Sequence, residues 1–211
     1  MTATNTNTDT LTVGIVLFDD VEVLDFAGPF EVFAVAGNVT EGGFEVLTVA
    51  ERADATSPIV ARNGLKIVPD YSLADAPHLD LLVVPGGMGT RREVANPKLI
   101  GWIKRRAAEA QLTTSVCTGS FLLAETGILA GKTATTHWAS VERMAQTYTM
   151  LRVRGDARFV DEGDIVTSAG VSAGIDMALY VVGRLKGAEI AAKTARHMEY
   201  DHYQPDVAQG K

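Results

Sequence analysis

Cys117 is the only cysteine of the chain, and it stands where the run Thr114-Ser115-Val116 breaks into the small-residue turn Cys117-Thr118-Gly119. A thiol on a strand-to-helix elbow is exposed, and the helix N-terminus behind it favours the thiolate, which is the nucleophilic form. Gly119 carries no Cβ and relieves the crowding of so tight a turn. The pattern resembles the serine-hydrolase elbow with sulfur in place of oxygen. A free cysteine is more often a small buried hydrophobe. Here the elbow turns the reading toward a nucleophile.

Three further features have the chemistry to serve such a nucleophile. Asp25, between Leu24 and Phe26, is a carboxylate in an apolar setting that raises its pKa, or else an N-cap for a helix opening at Pro29. Gly86 and Gly87 end an apolar run with accessible backbone N–H groups, as an oxyanion hole requires; the alternative is a turn needing positive φ. His137 would complete a triad only if the fold brought it beside Cys117. No paired Cys/His and no HExxH motif supports a metal site, and neither a GxxxxGK[ST] nor a GxGxxG loop is present.

The elements that must position these residues follow from periodicity. Short apolar runs at 11–18, 44–50, 79–84 and 112–116 read as strands covered on both faces. Helical spacing runs from 29 to 36, where Gly37 is a stop signal. Asn96-Pro97 opens a helix as N-cap and first residue, with Leu99, Ile100, Ile103 and Ala107 as its inner stripe. A helix at 120–125 follows Cys117, residues 138–146 are helical, and two helices near 173–185 and 188–198 close the chain. Asn63-Gly64 and residues 161–164 mark hairpin turns. Strands alternating with helices predict an α/β three-layer sandwich with a mostly parallel sheet. In such sheets ligands bind beyond the carboxyl ends of the strands, where Asp25, Gly86-Gly87 and Cys117 all fall.

The 211 residues suggest one domain at 11–200, between a disordered tail at 1–10 and a C-terminal tail at 201–211. The opening segment lacks a basic and an apolar region, so it is not a secretory signal. No apolar run reaches the roughly 20 residues that cross a bilayer. A net charge of −7 without a Lys/Arg run gives no support for nucleic-acid binding. Arg91-Arg92 and Lys104-Arg105-Arg106 read as solvated helix faces, and Asp176 as dipole compensation. One free cysteine suits a reducing compartment, so the expected location is cytoplasmic.

Four segments in this order, LDFAGPFEVF (24–33), LLVVPGGMG (81–89), TSVCTGSFLLAETGILAGKTATTHW (114–138) and TSAGVSAGIDMAL (167–179), resemble the DJ-1/PfpI (ThiJ/PfpI) superfamily. The resemblance extends from about Val13 to Met198, and the last two segments are most similar to isonitrile hydratases. It implies a flavodoxin-like fold, a homodimer and no cofactor. It also implies Cys117 as nucleophile, Asp25 as the neighbouring acid, Thr118 beside the nucleophile, and Gly86 and Gly87 as the oxyanion hole. Protease-like branches carry His directly after the cysteine, where this chain has Thr118. Glyoxalase-like branches carry Glu where this chain has Asp25. Many relatives with this elbow are sensing halves of regulators with a C-terminal helix-turn-helix, for which the residues after Met198 leave no room.

The function so implied is hydration of a small isonitrile to an N-substituted formamide through a cysteine thioimidate. The alternatives are glyoxalase or deglycase chemistry on α-oxoaldehydes, and a non-catalytic redox or ligand sensor.

Overall fold

Residues 10–52 and 56–202 are described by the computed structural model; most of both expected tails, 1–9 and 203–211, lies outside them. The strands are β1 (Leu11–Leu17), β2 (Phe44–Ala50), β3 (Ile59–Val60), β4 (Lys66–Ile67), β5 (Tyr71–Ser72) and β6 (Leu81–Val84). They continue with β7 (Leu112–Val116), β8 (Thr133–Ala134), β9 (Arg152–Val153), β10 (Phe159–Asp161) and β11 (Ile165–Ser168). The helices are α1 (Val23–Val39), α2 (Thr90–Glu93), α3 (Pro97–Glu109), α4 (Gly119–Glu125), α5 (Val141–Thr147), α6 (Ala173–Lys186) and α7 (Ala188–His197).

Among the described residues, seven strands form one sheet in the order β10-β11-β7-β6-β1-β2-β5. Every pairing in it is parallel except β10 with β11. All four residues of β6 are buried, as are all five of β7, because helices cover both faces of the sheet. Helices α1, α6 and α7 pack together, while α2 and α3 pack against α4. The result is the expected three-layer α/β sandwich. Phe33 of α1 is fully buried with its ring 5.1 Å from that of Phe44 at the start of β2.

Local signals held where the physics is local. The Asn96 side chain accepts the N–H groups of Lys98 and Leu99 at 3.1 and 3.2 Å, with Pro97 as first helical residue. Asn63 adopts φ +63° between β3 and β4, which pair as an antiparallel hairpin. Two expectations are corrected by the structure. Helix α1 starts at Val23, not Pro29, and Gly37 lies inside it rather than ending it. A Cβ on Gly37 would stand 2.3 Å from the Phe44 carbonyl oxygen, so this glycine lets the helix approach β2. Pro29 removes the N–H that would otherwise bond the Asp25 carbonyl four residues back. Nor is Arg106 merely solvated: its guanidinium donates to the Ala76 carbonyl at 2.7 Å and lies 5.4 Å from the ring of buried Trp102.

Candidate active site

Cys117 follows β7 directly and carries φ +57°, a left-handed conformation uncommon for a residue with a side chain. The surroundings hold it there. Its N–H donates to the Ser168 and Ala169 carbonyls at 3.2 and 3.1 Å. Its carbonyl accepts the hydroxyls of Ser120 and Thr136, each at 3.0 Å. Two residues on, a Cβ on Gly119 would stand 2.0 Å from the Val84 carbonyl oxygen, so only glycine lets α4 start this close to the end of β6. The expected elbow is present.

Its electrostatics differ from expectation. Cys117 is only 6% exposed, and burial is the main reason its thiol is pushed up to about 12, with the Asp25 charge adding to the rise. The Thr118 N–H and hydroxyl pull in the other direction and lose. The low-pKa thiolate expected from the helix terminus is therefore corrected. Helix α4 is seven residues long, and its terminus does not offset the loss of water.

Asp25 comes from a different part of the chain, the first turn of α1, and is fully buried. It is no N-cap: that position belongs to Glu22. Burial pushes its carboxyl up to about 7, against the lowering effect of the Gly86 N–H, which donates to Oδ2 at 3.0 Å. Oδ1 has no partner of hydrogen-bond geometry. The Cys117 thiol and the Val171 N–H nonetheless lie close enough to stabilise the charged carboxylate. Thiol and carboxyl thus act on one another, the carboxyl losing its proton near pH 7 while the thiol keeps its own.

Gly86 and Gly87 fall at this site but do not offer free N–H groups, which corrects the oxyanion-hole expectation. The Gly86 N–H is bound to Asp25, and the Gly87 N–H donates to Thr118 Oγ1 at 3.0 Å. The two glycines hold the acid and the threonine in place. Of the donors near Cys117, Thr118 supplies an N–H and a hydroxyl beside the sulfur.

His137 is drawn near the elbow without joining it. Its Nδ1 accepts the Ala139 N–H at 3.2 Å, and its ring covers Gly170 and lies tilted against that of exposed Trp138, 5.6 Å between centroids. Among the described residues its only side-chain hydrogen bond is to Ala139, and none reaches Cys117 or Asp25. Sequence reading missed Thr90, Ser120 and Thr136, whose hydroxyls reach the Cys117–Thr118 backbone or side chain. Nothing in their local sequence sets them apart from other buried threonines and serines.

A cavity of 480 Å³ opens between the ends of β1 and β2 and the start of α3. Cys117, Asp25 and Thr118 do not line it, and its charges are met internally: Arg52 by Asp19, Lys98 by Glu51, and Glu93 by Arg92. Among the described residues no three His, Cys, Asp or Glu side chains group as a metal site would need. None of their helices is long and apolar enough to cross a membrane.

A mostly parallel sheet that places a left-handed elbow cysteine beside a buried carboxylate defines the class of α/β protein to which this chain's fold corresponds. The chain belongs to the DJ-1/PfpI family, whose model matches residues 11–184. It is 34% identical over 204 residues to the isonitrile hydratase of Pseudomonas putida, covering 94% of this chain and 85% of that protein. It is 27% identical to the HTH-type transcriptional regulator GbdR of Pseudomonas aeruginosa, covering 92% of this chain but 52% of the regulator. The crystal structure of a ThiJ/PfpI family protein from Pseudomonas syringae superposes with a TM-score of 0.83 at 29% identity, covering 96% of this chain and 80% of that one.

Proposed function

We propose that this protein hydrates an isonitrile, R–N≡C, to the formamide R–NH–CHO. The observation that carries the reading is the pairing of elbow Cys117 with buried Asp25, whose carboxyl gains and loses a proton near pH 7. The similarity to an isonitrile hydratase supplies the substrate class.

In the first step the Asp25 carboxylate takes the thiol proton and delivers it to the terminal carbon of the isonitrile. Sulfur bonds to that carbon, giving the thioimidate R–N=CH–S–Cys117. Asp25, again a carboxylate, then accepts a proton from water as the oxygen adds to the same carbon, and passes it to the nitrogen, giving R–NH–CH(OH)–S–Cys117. Collapse of this intermediate breaks the C–S bond; the departing Cys117 thiolate takes up the proton of its hydroxyl and the formamide is released. The Thr118 N–H and hydroxyl orient the intermediate and meet its charge. A redox-sensing role would need an exposed, low-pKa thiolate, and Cys117 has neither property.

We also propose that residues 11–200 act as one cytoplasmic domain that pairs as a homodimer and binds no nucleic acid. Leu24, Val60 and Leu65, 38%, 41% and 48% exposed, support the pairing. The segment from β3 to β4 that carries Val60 and Leu65 is bonded to residues 20–21, just before α1, which carries Leu24.

The test mixes purified protein with cyclohexyl and aryl isonitriles and follows formamide by chromatography, with Cys117→Ala as control. Formamide from wild type and none from the variant supports the reaction and its nucleophile. No formamide from any of the isonitriles overturns the reading.

A further inference from the structure

Thr118 stands at the N-cap of α4, where a threonine oxygen ordinarily accepts an N–H of the first turn. It makes no such cap bond. Its Oγ1 instead accepts the Gly87 N–H at 3.0 Å and lies 3.2 Å from the Gly87 carbonyl oxygen. Forgoing a cap of about 1 kcal/mol implies that the hydroxyl has other work.

Thr90, at the first position of α2, completes the arrangement. It is 2% exposed, with Oγ1 2.8 Å from the Gly87 carbonyl oxygen and 3.1 Å from Thr118 Oγ1. Two hydroxyls, each with one proton, thus face a single carbonyl acceptor. The carbonyl also accepts the Thr90 N–H at 3.3 Å, and of the two hydroxyls Thr90 makes the shorter contact, so the Thr118 proton is the freer to turn to another acceptor. Thr118 itself is 7% exposed, so little water competes for that proton.

On the reading that Thr118 serves the thioimidate, we infer that Thr90 is a positioning residue: by bonding the Gly87 carbonyl it keeps the Thr118 hydroxyl proton directed into the active site. Without the Thr90 hydroxyl, the Gly87 carbonyl keeps only the long 3.3 Å contact of the Thr90 N–H, and it draws the Thr118 proton away from the sulfur and its adduct. Thr90 touches no reacting atom and acts only through Thr118.

The test compares wild type, Thr90→Val, Thr90→Ser, Thr118→Val and the Thr90/Thr118 double valine variant. Two readouts are taken: kcat and KM for isonitrile hydration, and the pH dependence of Cys117 alkylation by iodoacetamide, which requires no hydratase activity. Thr90→Val is expected to lower kcat about tenfold with KM nearly unchanged, the scale of one lost hydrogen bond at a charged centre. It should also slow Cys117 alkylation at pH 8, and Thr90→Ser should restore both. In the Thr118→Val background the Thr90 substitution should have no further effect, which a merely structural role would not produce. Wild-type rates in Thr90→Val, or an equal loss in both backgrounds, overturns the inference. If Thr90→Val does not fold, Thr90→Ala takes its place with the same expectations. Should wild type make no formamide, the hydratase reading fails and the alkylation arm alone decides the role of Thr90.

Discussion

Gly86 donates its N–H to Asp25 Oδ2 at 3.0 Å, joining the loop after β6 to the first turn of α1 across a sequence separation of 61 residues. This bond holds the carboxyl against the Cys117 elbow, and the absence of a side chain at Gly86 makes it possible. A Cβ there would stand 2.5 Å from Thr118 N, 2.7 Å from Thr118 Oγ1 and 2.9 Å from Asp25 Oδ2.

Gly86→Ala is therefore expected to displace the acid, the threonine or both. Overpacking of this kind costs about 1–3 kcal/mol. Formamide production should fall at least a hundredfold, beyond what the lost stability accounts for, since the protein remains folded at 25 °C. Urea melts and kcat, measured side by side, check it; near-wild-type turnover would show that the close approach is dispensable.

The pH dependence of hydration follows from the coupled pair. The reaction needs one proton between Cys117 and Asp25, so that one group attacks while the other delivers. Below a pH of about 7 both groups are protonated, and the thiol stays protonated up to about 12. Accordingly kcat/KM should rise through about pH 7 and remain level to at least pH 9. A rate that declines between pH 6 and 8 would contradict the assignment of the proton.

Asp25 also links stability to pH. Its carboxyl is pushed from 3.8 to about 7 by burial, so the folded state binds the proton more tightly than the unfolded chain does. The contribution of Asp25 to stability is then greatest below pH 4, falls as pH rises from about 4 to 7, and is flat above. Asn mimics the protonated acid and keeps an acceptor for the Gly86 N–H. Asp25→Asn should thus gain a few kcal/mol at pH 8, at about 1.4 kcal/mol per pKa unit, and nothing at pH 4. Chemical denaturation at both pH values measures this. Equal changes at the two would mean that the buried charge costs nothing.

The chain's local chemistry was legible in its sequence. The elbow at Cys117-Thr118-Gly119, the cap at Asn96-Pro97, the hairpin at Asn63-Gly64 and the covered strands each depend on neighbours within a few residues, and each formed as read. Helix α1 is longer than its sequence signals, because Pro29 marks a first turn while burial of its apolar face carries the helix back to Val23. The four segments that carry the family resemblance also named Asp25, Thr118, Gly86 and Gly87 as one group.

What those residues do to one another was decided by tertiary structure. The Gly86 and Gly87 N–H groups are engaged by Asp25 and Thr118, and only long-range packing determines which acceptor a backbone donor finds. The elbow geometry suggested a thiolate, yet the thiol is held neutral, because desolvation by surrounding strands and helices outweighs a short helix terminus. Thr90 is distinguished only by the tertiary contacts of its hydroxyl with Gly87 and Thr118. Backbone conformation is written in neighbouring residues, whereas proton affinity depends on how much water the whole fold removes.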